Sequence, residues 1–166
     1  PVAQRLLQRT NQTLPTLSRA HYAPGDAVVV TMFYDEALTQ GKWELAFTDL
    51  LAQKEEGASG ILARGGDGRQ PANPAWSQDG KTIAYVVTSG RVTDGRVRDG
   101  VADIFTIPYN DRKGGAATPL PGASDPLFNE YYPTFSPEDR LMAFNRVAAN
   151  LNMYNAPTTE MMVVAA

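Results

Sequence analysis

The side chains able to do chemistry in this sequence are few, and their spacing limits what they can do. His21 is the single histidine, and there is no cysteine. Disulfides, thiolate zinc sites and thiol nucleophiles are therefore excluded. A triad or metal cluster built on His21 has no second histidine to draw on. The residue stands just before a turn, where a polar strand end is ordinary, so a structural role fits it better than a ligand or a base. Ser77 and Ser136 each follow an aromatic residue at the entrance to a turn. A nucleophile needs an adjacent base and an oxyanion site, and two serines recurring in register are explained better by turn capping. No Gly-x-Ser-x-Gly elbow is present. Asp94, Asp99 and Asp103 lie in a Gly-containing segment and form a candidate calcium set. Their spacing is not that of an EF-hand, and Arg91, Arg96 and Arg98 are interleaved with them, which favours a salt-bridged loop. Gly65-Gly66-Asp67-Gly68 lacks the Lys-Ser/Thr ending of a phosphate-binding loop and reads as a flexible turn.

Binding chemistry is better represented. Asn129, Glu130, Tyr131 and Tyr132 place polar and aromatic groups at a strand entrance, where they can line a pocket and touch a ligand or satisfy local backbone groups. Asn150, Asn152, Tyr154 and Asn155 form a second polar, aromatic segment, able to present a peptide or sugar contact surface or to serve as a plain loop. The candidate partner surface is therefore Asn129, Glu130, Tyr131, Tyr132, Asn152 and Tyr154, with no catalytic residue and no cofactor expected.

The elements that position these residues come as a repeat. Tyr22-Ala-Pro-Gly-Asp-Ala-Val-Val-Val-Thr31, Trp76-Ser-Gln-Asp-Gly-Lys-Thr-Ile-Ala-Tyr-Val-Val87 and Phe135-Ser-Pro-Glu-Asp-Arg-Leu-Met-Ala-Phe-Asn-Arg146 align with one another. Each begins with an aromatic residue, passes through a polar turn and enters an apolar run. Pro presets φ, Gly permits positive φ and Asp can bond the backbone two residues on, so each turn joins two antiparallel strands. Ile83–Val87 is continuously apolar, as expected of a strand buried on both faces. A third strand follows in Trp43–Leu50, Ala102–Tyr109 and Thr159–Ala166. A short outer strand follows the second unit at Ala117–Leu120, where Pro119 is tolerable at an edge. Trp43, Trp76, Phe105, Phe135 and Phe144 fall at equivalent places and are read as core between units, and Met161 and Met162 as strand packing. Residues Asp35–Lys42, Ser89–Val101 and Ala148–Pro157 lengthen the same connection in all three units. This carries the repeat beyond the roughly 40–50 residues of an ordinary propeller blade. The organisation expected is an N-terminal extension over 1–17 and three units over about 18–70, 71–125 and 126–166.

Composition agrees with an all-β, turn-rich globular chain: 166 residues, 43% hydrophobic and 20% charged, with Gly 14 and Pro 12. The net charge is −3 with no basic tract, which disfavours nucleic acid. No apolar run approaches the roughly 20 residues of a spanning helix, so membrane insertion is not expected.

Asn73-Pro-Ala-Trp-Ser-Gln-Asp-Gly-Lys-Thr-Ile-Ala-Tyr85, Ala102-Asp-Ile-Phe105, Gly114-Gly115 and Leu120 together resemble the TolB-like propeller repeat. Tyr132-Pro-Thr-Phe-Ser-Pro-Glu-Asp-Arg-Leu-Met-Ala-Phe144 with Glu160-Met-Met-Val163 is similar to it. The first unit departs from it at Ala23–Asp26 and at Trp43-Glu-Leu45. The resemblance implies β-propeller blades forming an incomplete ring, a protein or peptide partner, and a bacterial periplasmic or secreted location. It implies a non-enzymatic binding or scaffolding module. Closed propellers have about four to eight blades, so the expectation is that the chain is a fragment of a longer propeller or that it pairs with copies of itself or with another chain to close the ring. The alternative is the propeller portion of a prolyl-oligopeptidase-like hydrolase, controlling access to catalysis elsewhere. A carbohydrate-active propeller like oligogalacturonate lyases needs several histidines at a metal and is disfavoured.

Overall fold

The stretch Thr82–Thr88 is the centre of the architecture because its side chains alternate between two apolar surroundings. The structure, a computed structural model, describes residues 16–25, 27–52, 56–93, 96–151 and 156–166. Residues 1–15, Asp26, Asp94, Asn152, Tyr154 and Asn155 fall outside the described residues. Among the described residues there is no helix, and the strands form three antiparallel meanders.

The first meander runs β1 (Thr16–Tyr22), β2 (Val28–Tyr34), β3 (Trp43–Asp49) and β4 (Ser59–Ile61), paired in that order. The second consists of β5 (Gln70–Trp76), β6 (Thr82–Thr88), β9 (Ala102–Pro108) and β10 (Thr118–Pro119). A two-strand hairpin, β7 (Val92–Thr93) with β8 (Arg96–Val97), is inserted between β6 and β9. The third is β11 (Phe128–Phe135), β12 (Leu141–Ala148) and β13 (Glu160–Ala165). β1 opens at Thr16, inside the segment set apart above as an extension.

Sequence period explains the stacking. In a strand, alternate residues face opposite sides. Ile83, Tyr85 and Val87 of β6 pack on Met32, Trp43, Leu45 and Phe47 of the first meander. Ala84 and Val86 of the same strand pack with Ile104 on Tyr131, Phe135, Met142 and Phe144 of the third. The second meander is thus sandwiched, and β6 has no polar side to show. Small residues on it (Ala72, Ala84, Ala102) meet large ones on the third meander, which lets the sheets close up. This is propeller-blade stacking, and the three meanders are blades 1, 2 and 3 of an unclosed ring.

Polar contacts fix how the blades meet. Trp43 Nε1 donates to the Val92 carbonyl at 3.0 Å, tying β3 to the inserted hairpin. Arg112 Nη2 pairs with Asp49 at 2.6 Å across the same seam. Gly114 has φ +71°, and a Cβ there would overlap the carbonyl of Ala63, with which its segment bridges. One sequence expectation is corrected. Met161 does not pack: it is 77% exposed on β13, because that face of blade 3 meets no other sheet among the described residues. The insert 89–101 carries an Arg91–Asp99 ion pair, and its apolar residues also pack: Val92 joins the core between blades 1 and 2, and Val97 the core between blades 2 and 3.

Candidate functional site

The inner strands β1, β5 and β11 share one irregularity. Their pairing register slips between Ser18 and His21, between Ala72 and Ala75, and between Tyr131 and Thr134. In blades 2 and 3 the bulge holds Asn73-Pro74 and Tyr132-Pro133. Proline has no N–H to give to a ladder, so a bulge on an inner edge strand is where it is tolerated. The residue before each proline takes a left-handed backbone, with φ 46° at Asn73 and 56° at Tyr132. That region is costly for a side chain as large as tyrosine, at roughly 1–3 kcal/mol. Strain of this kind, repeated at one level of two blades, marks a place to look for function.

The bulges converge. His21, Asn73, Pro74, Ala75, Tyr132, Pro133 and Thr134 line one cavity of about 200 Å³ at the inner edge of all three blades. A second cleft of about 240 Å³ adjoins it through His21, between the turns Tyr22–Gly25 and Trp76–Gln78. His21 Nδ1 accepts the Trp76 backbone N–H at 3.2 Å. The neutral ring then carries its proton on Nε2 as a donor. Burial holds the His21 pKa below the usual histidine value, against an opposing backbone hydrogen bond at Tyr22. Asn73 is buried, and its Oδ1 has no hydrogen-bond partner among the described residues. The cavity lining therefore combines an imidazole, a buried asparagine whose Oδ1 is unanswered, and two prolines.

Of the four sequence candidates on β11, Tyr132 alone lines this cavity. Asn129 is buried in the seam between blades 2 and 3. Its Oδ1 accepts the Ala102 N–H at 2.9 Å, and its Nδ2 donates to the carbonyls of Ala149 at 3.0 Å and Leu151 at 3.2 Å. Glu130 is fully buried, and its Oε1 accepts from Arg146 Nη2 at 2.9 Å. Tyr131 is core. Sequence reasoning had no signal for Asn73, which looks like the ordinary residue before a motif proline. Asp99 takes the Arg91 N–H and Nε and closes the base of the hairpin, while Asp103 lies 4.0 Å from Arg69. Ser77 Oγ accepts the Thr82 N–H and donates to Asp79, and Ser136 Oγ accepts the Leu141 N–H. Both serines are held in turns, as their spacing predicts.

With this geometry in hand, the backbone compares directly with solved propellers. A structure described as TolB from Agrobacterium tumefaciens superposes with a TM-score of 0.64 at 12% identity, over 94% of this chain and 47% of that one. The chain has the fold of TolB propeller blades. TolB from Acinetobacter baumannii aligns with a TM-score of 0.59 at 12% identity, over 90% of this chain and 30% of its own. The chain thus spans about half of the first TolB structure and under a third of the second. Sequence comparison finds no match among protein-family models or curated proteins. The TolB likeness is one of backbone, and the residues of the inner cavity have to be judged on their own chemistry.

Proposed function

We propose that this chain is a non-enzymatic propeller module that holds an extended polypeptide at its inner cavity. The observation that carries the proposal is the convergence of two strained bulges on a cavity holding a buried, unanswered Asn73 Oδ1. A buried acceptor without a donor costs about 1–3 kcal/mol, and a bound backbone N–H would recover it. The proton on His21 Nε2 would meet a backbone carbonyl of the same ligand. Pro74, Pro133 and the Tyr132 ring offer apolar contact for the flanking side chain. Donor, acceptor and apolar surface together suit a main chain better than a charged ligand, since no charged side chain among the described residues lines the cavity. Ser77 and Ser136 are engaged in turns, and among the described residues no carboxylate hydrogen-bonds His21, so hydrolytic catalysis is not proposed. The resemblance set out above favours a bacterial periplasmic or secreted setting, which fractionation of the native host tests.

The binding test is a ¹H–¹⁵N NMR titration with a mixed-sequence hexapeptide library. Shifts are expected at Asn73, Ala75 and Tyr132, and they disappear in Asn73→Ala. Shifts confined to other surfaces would contradict the site.

A further inference from the structure

A hydrogen bond joins the inner strands of blades 1 and 2 at the cavity, and a proton can switch its acceptor off. β1 and β5 belong to different sheets, so no ladder runs between them. Trp76, fixed in β5 by its pairing with Ile83, sends its backbone N–H across the seam. His21 Nδ1 accepts it at 3.2 Å, where β1 resumes its register after the slip. A neutral imidazole accepts through one ring nitrogen, whereas in an imidazolium both nitrogens are donors. Protonated at Nδ1, the ring would set one N–H against another. One partner then has to move. Trp76 is 2% exposed and packed edge-on against Tyr109. His21 is in part open to water and is the freer of the two.

The surroundings favour the neutral ring. His21 lines both the inner cavity and the cleft that adjoins it. The other titratable groups in those linings are the phenols of Tyr22 and Tyr132. Among the described residues neither lining holds a carboxylate, a lysine or an arginine. Beyond Gln78 stand two carboxylates already engaged. Asp139 accepts the N–H groups of Gln78 and Asp79, and Asp79 accepts the Ser77 hydroxyl and the Lys81 N–H. β2 sets Val30 opposite His21. Glu130 of β11, pushed up to about 7 by burial, pairs with Arg146 and stands outside both linings. None of these groups is a counter-ion that would hold an imidazolium in place. Burial works against the charged ring more strongly than the backbone hydrogen bond at Tyr22 works for it. We propose that His21 is a proton-operated latch on the inner cavity. The neutral ring ties blade 1 to blade 2 and keeps the lining assembled. The imidazolium lets go of Trp76 and draws one side of the lining away. The inference rests on the reading of this cavity as the peptide site and adds its control: polypeptide is held near neutral pH and released in acid.

NMR titration of the full chain, labelled with ¹³C and ¹⁵N, tests the latch. The probe is the hexapeptide library made without histidine and capped at both ends, so that its termini do not titrate. Between pH 7.5 and 4.5 the Trp76 amide proton should shift upfield with the same midpoint as the His21 ring, while far-UV circular dichroism stays constant. In His21→Asn the side-chain Oδ1 is an acceptor that no proton removes, and Trp76 should not respond. One pH unit below the ring's midpoint about one ring in eleven is neutral, so the wild type should bind the peptides about tenfold more weakly. By reciprocity, saturating peptide should lower the midpoint of the His21 ring. A Trp76 amide indifferent to the ring, a ring that stays neutral throughout, or an equal Trp76 response in His21→Asn overturns the latch. Peptide binding that is present but stays level, or strengthens, as the ring protonates overturns the control alone. Peptide shifts absent at every pH overturn the binding reading and its control together.

Discussion

Glu130→Gln should flatten the pH dependence of stability between pH 5 and 8. Glu130 sits on β11 with no exposed surface. One oxygen accepts from Arg146, and the other has no partner among the described residues. Burial pushes its pKa up to about 7, and Arg146 only partly opposes this. Asp103 across the seam adds to the rise, and its own carboxyl is also raised by burial. Arg146 is held independently by the Gly122 carbonyl and by the rings of Phe128 and Phe144, so it stays in place when the charge opposite it is removed. The folded protein thus binds this proton more tightly than the unfolded chain, where the carboxyl titrates near 4.5. The contribution is complete below pH 4.5 and is lost as pH rises through 7. At about 1.4 kcal/mol per pKa unit, the loss is roughly 3 kcal/mol. His21 works in the opposite direction, because its pKa is lowered on folding and its contribution is lost as pH falls. The difference between wild type and Glu130→Gln isolates the glutamate. Urea unfolding at pH 5, 6, 7 and 8 reads it. The wild type should lose stability relative to the variant as pH rises. A constant difference across that range, or one of opposite sign, refutes the reasoning.

Other consequences are simpler. Gly114→Ala should cost more than about 2 kcal/mol in urea unfolding, because the new Cβ meets the Ala63 carbonyl at a backbone of positive φ. Gly66→Ala, with open space around it, should cost only about 1 kcal/mol for its left-handed φ. Ile104→Ala should lose about 2–5 kcal/mol, whereas Met161→Gln at the equivalent exposed position should stay within about 0.5 kcal/mol. Trp43→Phe should cost about 1–2 kcal/mol by chemical denaturation, since it leaves the buried Val92 carbonyl without its indole donor.

The sequence made the blades legible because their determinants are local. Ile83–Val87 shows no polar face, and a strand with none must be covered twice. Pro, Gly and Asp mark each turn, and the serines beside them cap it. What escaped notice depends on contacts between blades. His21, Asn73 and Tyr132 lie far apart in the chain, and only the shared bulge brings them to one cavity. Asp139 looks like a departure from a glycine motif until its carboxylate is seen on the neighbouring turn. Asn129 and Glu130 look like surface polar residues beside two tyrosines, yet Ala102 across the seam occupies the first and Arg146 on the neighbouring strand the second. Met161 looks like packing because its strand is apolar, and only the absence of a facing sheet among the described residues leaves it in water.

Blade 2 is held between neighbours on both faces. Native-state hydrogen exchange tests this directly. The amides of Ile83–Val87 should exchange slowest in the molecule, at or near the rate of global unfolding, while those of β13 exchange through local opening. Exchange at Tyr85 and Val86 as fast as at Met162 and Val163 would mean that the blades do not stack as described.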